Sequence, residues 1–520
     1  MSLKKGAIGL RSFVINQLFK PTIIRSFSMT KPFISRTMCT QHPDNISQPF
    51  FAQNTVLAGD DEVKEAFYSF SHIGSDEQLW DCEGKEVDNF VVKKLLTSYE
   101  PYFRKHVLGK EKHLTIRVPN PAVEKNEAKV LLEVLESIPR SFDIGKAFYD
   151  HDIPPISEAF VPMVTCAEDV IRIKEYYKRF VAGKQVLPIT TGDITVREWI
   201  GTFAPADIRV TPLLEDKQSM LNSASIVEKY IQNQKIQDYQ RVWLARSDPA
   251  LNYSSTATVL IEKIALQRLN LLQEKTSVDF YPILGCGSAP FRGNLRPSTT
   301  ASLLKAYPSV QTFTLQSSFR YDSPIKEVQD AVETLNTTRT SKPLPVDEEK
   351  VLPLIEKMEK SYKKHIALLA PFINKMAVHV PSRRKRKLHV GLFGYSRSEG
   401  NIHLPRAIPF VCSLYSLGFP PEILGLDVVT DKDVEIIEAV YPSFFKDYES
   451  FMPYLNEETL DNLPHELKDV VAKVKQLHPY DVNEKHKKIT SIIAEDLGKE
   501  NIPLVKENIE RAAFVRGFLG

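Results

Sequence analysis

Cysteine is scarce in this chain and never paired along it. Cys39, Cys82, Cys166, Cys286 and Cys412 lie far apart, with no C-x-x-C spacing. That argues against a zinc module and a disulfide framework, and it predicts a protein of the reducing cytoplasm. Long apolar runs are missing as well, since none approaches the roughly 18–20 residues that a membrane span needs. Neither sign of charge dominates: 67 Lys and Arg against 65 Asp and Glu leave a formal net charge of +2. Bulk attraction to nucleic acid or to a membrane surface is therefore not expected. Acids are absent from one place in particular, because seven Lys or Arg and several Ser precede the first acid, Asp44. Such a leader resembles an organelle transit peptide, and an upstream start codon with Met29 as the true start would look the same. Residues 1–30 are set apart from the fold on either reading.

What is present is an alternation. Strand-like runs stand at 113–118 (HLTIRV), 156–163, 186–191 (VLPITT), 208–214, 241–245, 278–285, 312–316 and 388–394 (LHVGLFG). Helical spacing follows most of them, as at 124–137, 168–181, 219–235, 257–274 and 348–376. Eight strands alternating with helices predict an α/β fold, a (β/α)8 TIM-type barrel with additional N- and C-terminal helices. The expected division is one domain over 31–520, with the barrel at about 113–420 and a helical part at about 421–520. Residues 31–110 read as irregular or helical. The polar stretch 337–348 reads as an exposed loop, the basic run SRRKRK (382–387) as a solvated lead-in to the last strand, and the tail RAAFVRGFLG as docked.

The candidate catalytic residues gather where strand-like runs end, which is where barrel enzymes keep their chemistry. Glu215 (TPLLED) and Asp248 (ARSDPA) follow neighbouring runs. Two carboxylates at adjacent strand ends suit one hard divalent cation, Mg²⁺ or Mn²⁺, although each could instead cap the next helix. The turn GCGSAPFRGN offers Gly285, Gly287 and Gly293 for close backbone approach to an anion, and Arg292 as a planar fork. It lacks the Lys-Ser ending of a nucleotide P-loop. Arg117, Arg397 and Arg406 add positive charge. Together these suit a small substrate carrying phosphate and carboxylate. His42, in MCTQHPDN, is a candidate proton shuttle.

MCTQHPDN, WDCEGKEVD (80–88), LTIRVPNP (114–121), PLLED, RSDPA, GCGSAPFRGN and LPRAIPF (404–410) occur in one order. Together they resemble phosphoenolpyruvate carboxylases of the short, archaeal type from about residue 34 to the C-terminus. The resemblance implies a homotetramer that carboxylates phosphoenolpyruvate with bicarbonate, using Mg²⁺ or Mn²⁺ and no biotin. It makes His42, Arg117 and Arg292 catalytic, Glu215 and Asp248 metal ligands, and Arg397, Arg406 and the three glycines substrate contacts. The sequence departs from the longer family members in two places. Cys286 stands where they carry a first arginine, and Gly418 lies near another expected one, for which Arg397 is the substitute. The alternatives are another phosphoenolpyruvate- or pyruvate-type barrel lyase, or an inactive scaffold.

Overall fold

Eight parallel strands close into a barrel in sequence order: β1 (Thr37–Cys39), β2 (Glu77–Asp81), β3 (His113–Arg117), β4 (Glu158–Val161), β5 (Arg209–Leu214), β6 (Tyr239–Ala245), β7 (Asp279–Gly285) and β8 (Thr312–Leu315). The ring shuts where β1 pairs with β8, Met38 opposite Thr314. This computed structural model describes residues 33–84, 88–125, 128–385, 398–399 and 402–520.

The number of strands matches the expectation, but their identity differs in two cases. VLPITT (186–191) is no barrel strand. Its apolar side chains are exposed, Pro188 has no N–H to give a ladder, and its one pairing is an isolated antiparallel bridge from Pro188 to Thr195. LHVGLFG lies outside the described residues. The barrel instead begins with β1 and β2, in the segment read as irregular or helical, so its strands span 37–315 and not 113–394. Neither has the signature of a strand, for a physical reason: β1 has three residues, and β2 (EQLWD) carries an acid at each end.

Those acids belong to the layered filling of the barrel, which follows from the two-residue period of a strand. Near the strands' N-terminal ends the Arg241 guanidinium donates to Glu77 at 2.8 Å and to Glu158 at 2.9 Å. Thr115 and Thr211 donate to the same two carboxylates. Two residues further along lies an apolar layer of Met38, Leu79, Phe160, Leu213, Trp243 and Ile283. Two more bring Asp81, Arg117 and Glu215 to the C-terminal mouth. Hence a charged floor, a dry middle and a charged mouth share one register.

Around the barrel, the expected helices appear at Ala128–Tyr149, Ala167–Tyr176, Ser223–Gln234, Ser255–Thr276 and Glu348–Ala377. The loop before the last of them is exposed over most of its length, as expected. After Arg406 the chain is helical, and its tail is docked, with Arg516 and Leu519 each 1% exposed. The basic run departs from expectation. Arg383 and Arg384 are buried, Arg384 donating to Glu62 at 2.7 Å and to Glu65 at 2.8 Å from the helix Asp60–Ser71.

Candidate active site

The mouth encloses a cavity of about 300 Å³ lined by His42, Arg117, Glu215, Asp248, Gly285, Arg292 and Arg406, together with Ser247, Gln316, Arg383 and Arg384. Seven of the ten residues singled out from sequence thus share one space. Gly287 and Gly293 do not line it. Gly287 packs on the Arg292 guanidinium, where a Cβ would stand 3.0 Å from the central carbon, and Gly293 (φ 118°) packs on Cys286. Arg397 lies outside the described residues.

Each acid is placed by the end of its strand. Glu215 directly follows β5, and its carboxylate accepts from the Met163 backbone N–H at 2.7 Å. Burial pushes its proton affinity well above the usual carboxylate range, Asp248 and Glu83 add to this, and Arg117 opposes it. Asp248 sits in the first turn of the helix Ser247–Tyr253 that follows β6, the strand beside β5. Asp248 and Glu83 thus add negative charge beside Glu215, which Arg117 only partly offsets. Two hard oxygen ligands from adjacent strands fit one divalent cation that takes its remaining ligands from substrate and water. Among the described residues no cluster of three or more His, Cys, Asp or Glu could hold a metal by itself.

The arginines are more engaged than the sequence suggests. Arg117 grips Asp81 with two parallel bonds of 3.0 and 2.9 Å, and it lies 3.1 Å from Glu83. Its fork therefore balances acids of the chain before any substrate arrives. Arg292, 2% exposed, donates Nε to Ser247 Oγ at 3.0 Å and Nη2 to Gln316 Oε1 at 2.5 Å. Its Nη1 donates to the Gly520 main-chain oxygen at 2.7 Å and to Asp44 Oδ2 at 3.3 Å. It thereby ties the turn after β7 to the loops after β1, β6 and β8 and to the C-terminal segment. Cys286 is fully buried, and burial raises its thiol well above the ordinary range, so it is an inert packing group.

His42 follows β1, and its Nδ1 lies 2.9 Å from Thr40 Oγ1. Its loop is held firmly: Asp44 accepts from the backbone N–H groups of Ser318 (2.7 Å) and Ser288 (3.3 Å), and Asp322 accepts from those of Ile46 and Ser47. Asp44, Asp81, Glu83, Ser247 and Gln316 were not singled out beforehand. Four of them lie inside the quoted motifs, two residues after His42, in WDCEGKEVD, or next to Asp248. Gln316 ends the strand-like run TFTLQ. Position within a motif was thus the available signal, but no chemistry marked them.

The chain is similar to known proteins over most of its length. A family model described as phosphoenolpyruvate carboxylase matches residues 34–520. The phosphoenolpyruvate carboxylases of Methanospirillum hungatei and Methanothermobacter thermautotrophicus are each 47% identical over 487 residues, covering 94% of this chain and 100% of theirs. That of Pyrococcus furiosus is 46% identical over 488 residues, with the same coverage. Among solved structures, the Haloferax volcanii malate synthase magnesium/glyoxylate complex overlaps 64% of this chain and 84% of its own. Its TM-score is 0.35 at 10% identity, too slight a likeness to bear on function.

Proposed function

This chain belongs to the phosphoenolpyruvate carboxylase family, and on that premise we propose that it joins bicarbonate to phosphoenolpyruvate, giving oxaloacetate and phosphate, in the cavity over the barrel mouth. The observation that carries this reading is the convergence of Glu215, Asp248, His42 and the mouth arginines on one space, in a chain matched over nearly its whole length. We further propose a homotetramer in the cytoplasm, the finer expectations that the resemblance brings.

Glu215 and Asp248 would hold a divalent cation, Mg²⁺ or Mn²⁺, which supplies Lewis-acid polarisation of substrate oxygens when bound. Biotin has no part in the reaction proposed here. Arg406, at the N-terminal end of the helix Ala407–Ser416, faces the same cavity and suits the substrate's phosphate or carboxylate. Arg117 and Arg292 present guanidinium donors to developing charge at the mouth, and Arg292 also fixes the spacing of its loops. A bicarbonate oxygen bonds to phosphorus as the bond from phosphorus to the enol oxygen breaks, leaving carboxyphosphate and the enolate of pyruvate. His42 accepts the carboxyl proton, so carboxyphosphate separates into CO2 and phosphate. C3 of the enolate then bonds to CO2. The cavity walls must exclude water at this stage, because a protonated enolate is lost as pyruvate.

The test is a coupled assay for oxaloacetate from phosphoenolpyruvate, with bicarbonate and Mg²⁺ each present or withheld. Oxaloacetate that requires both supports the reading. None under any condition, or oxaloacetate formed without bicarbonate, overturns it.

A further inference from the structure

Away from the mouth, the chain makes a long excursion between β4 and β5. Residues 183–203 form an arm with its own hydrogen bonds: Ile189 N–H donates to Ile194 O at 3.0 Å, and Val196 N–H to Leu187 O at 2.9 Å. Thr195 caps the short helix Val196–Ile200 in a reciprocal box with Glu198. The base is fixed as well, since the Lys184 ammonium pairs with Glu136 and the Phe203 N–H donates to Gln185 at 3.2 Å. Yet among the described residues no apolar layer lies under this arm. Neither Val196–Ile200 nor the turn Gly183–Val186 buries a single residue. Val186, Leu187, Ile189, Ile194, Trp199 and Ile200 are all exposed, Val186 and Trp199 at 65%.

Six such side chains present on the order of 500 Å² of apolar surface, towards the upper end of the largest patch usual on a monomer, a size that is often functional. A shaped segment with no core beneath it has the entropy of its ordering uncompensated, and a covering surface would supply the compensation.

We propose that this arm is a contact surface for a second copy of the chain, packed arm against arm across a two-fold axis. The charges favour that occupant. Lys184 is taken up by Glu136 and Glu198 by its own cap, which leaves Asp193 and Arg197, of opposite sign and both exposed, on the same arm. A two-fold contact sets each against the other's counterpart, as a self-complementary interface requires. The arm has no net excess of positive charge, whereas a membrane surface or a nucleic acid would call for one. The proposal names a surface for the self-association proposed above and rests on that reading, but on no step of the chemistry.

Tryptophan provides the probe, because Trp199 is exposed while Trp80 and Trp243 are 1% and 3% exposed in the barrel. Sedimentation velocity of the full chain over a dilution series is combined with acrylamide quenching of its fluorescence, for the parent and for Leu187→Asp/Ile200→Asp. Both substituted positions are exposed, so the thermal transition of the folded chain serves as the control. The expected parent is an assembly with Trp199 shielded. The expected variant has half the mass or less and is quenched several-fold more. A monomeric parent overturns this proposal and the self-association together. An assembled parent whose variant keeps the same mass overturns the arm alone. Shielding of Trp199 in a monomer, independent of concentration, would assign the cover to residues 1–32. Shielding only on addition of phosphatidylserine vesicles would assign it to a membrane, and either result overturns the proposal.

Discussion

Arg292→Ala tests the idea that one guanidinium braces the mouth. The substitution removes donors to Ser247, Gln316, Gly520 and Asp44 at once and leaves the Asp44 carboxylate, 0% exposed, with two backbone N–H groups. At the 3.3 Å separation of the Arg292–Asp44 pair, the direct attraction is about 5 kcal/mol at an effective dielectric constant of about 20. Burial offsets much of this: it is the leading influence on both groups, raising Asp44 and lowering Arg292. Removing one partner of a buried pair commonly costs about 3–5 kcal/mol, and Arg292→Ala is expected there. Asp44→Asn keeps an acceptor and should cost less, about 1–3 kcal/mol. In a double-mutant cycle by urea unfolding the two should couple by at least about 1 kcal/mol. The pH dependence has a definite sign. A carboxyl whose proton affinity is raised in the fold contributes stability that is present below its ordinary value of 3.8 and lost as pH rises. Without Arg292 the affinity of Asp44 climbs further, so the deficit of Arg292→Ala should widen as pH rises above about 4. Additivity within about 0.5 kcal/mol, or a deficit that ignores pH, would refute the bracing role.

Three further expectations concern single residues. His42→Asn should stop oxaloacetate formation yet retain bicarbonate-dependent release of pyruvate and phosphate, and normal oxaloacetate production would remove His42 from the chemistry. Gly287→Ala sets a Cβ about 3.0–3.1 Å from an Arg292 fork and a Gln316 oxygen that are already pinned. It should therefore cost about 1–3 kcal/mol and lower kcat, and unchanged turnover would show that the turn has slack. Glu262, buried behind β6, is raised to about 7 by burial despite Arg246. Its contribution to stability is lost as pH rises from about 4.5 to about 7, and Glu262→Gln should flatten thermal stability across that window. An unchanged slope would show that Glu262 does not titrate there.

Much of this was legible along the chain because the period of a strand dictates it. Leu213 and Glu215, or Trp243 and Ala245, point the same way, so an acid just after an apolar run falls at the mouth. Strands with charged ends defeat that reading. Glu77 and Asp81 face the floor and the mouth of the barrel, and both mask β2, while VLPITT has strand composition but lies on an exposed arm. The site residues found from sequence were those with evident chemistry. Those missed, such as Asp44, Ser247 and Gln316, act by holding another side chain. Such partnerships join residues as far apart as Asp44 and Arg292, which only the closed ring of strands brings together. Arg384 shows the converse, since a dense basic run reads as solvated until Glu62 and Glu65 are seen opposite it.

The proposed chemistry depends on Glu215 and Asp248 acting as a joint ligand pair. The direct measurement is Mn²⁺ binding, followed by electron paramagnetic resonance, for the parent and for Glu215→Gln and Asp248→Asn, with oxaloacetate production measured in parallel. The parent should bind one Mn²⁺ per chain. Each variant should lose that binding and the metal-dependent activity together while keeping the parent's thermal transition. Variants that bind Mn²⁺ as the parent does and make oxaloacetate at its rate would contradict the account.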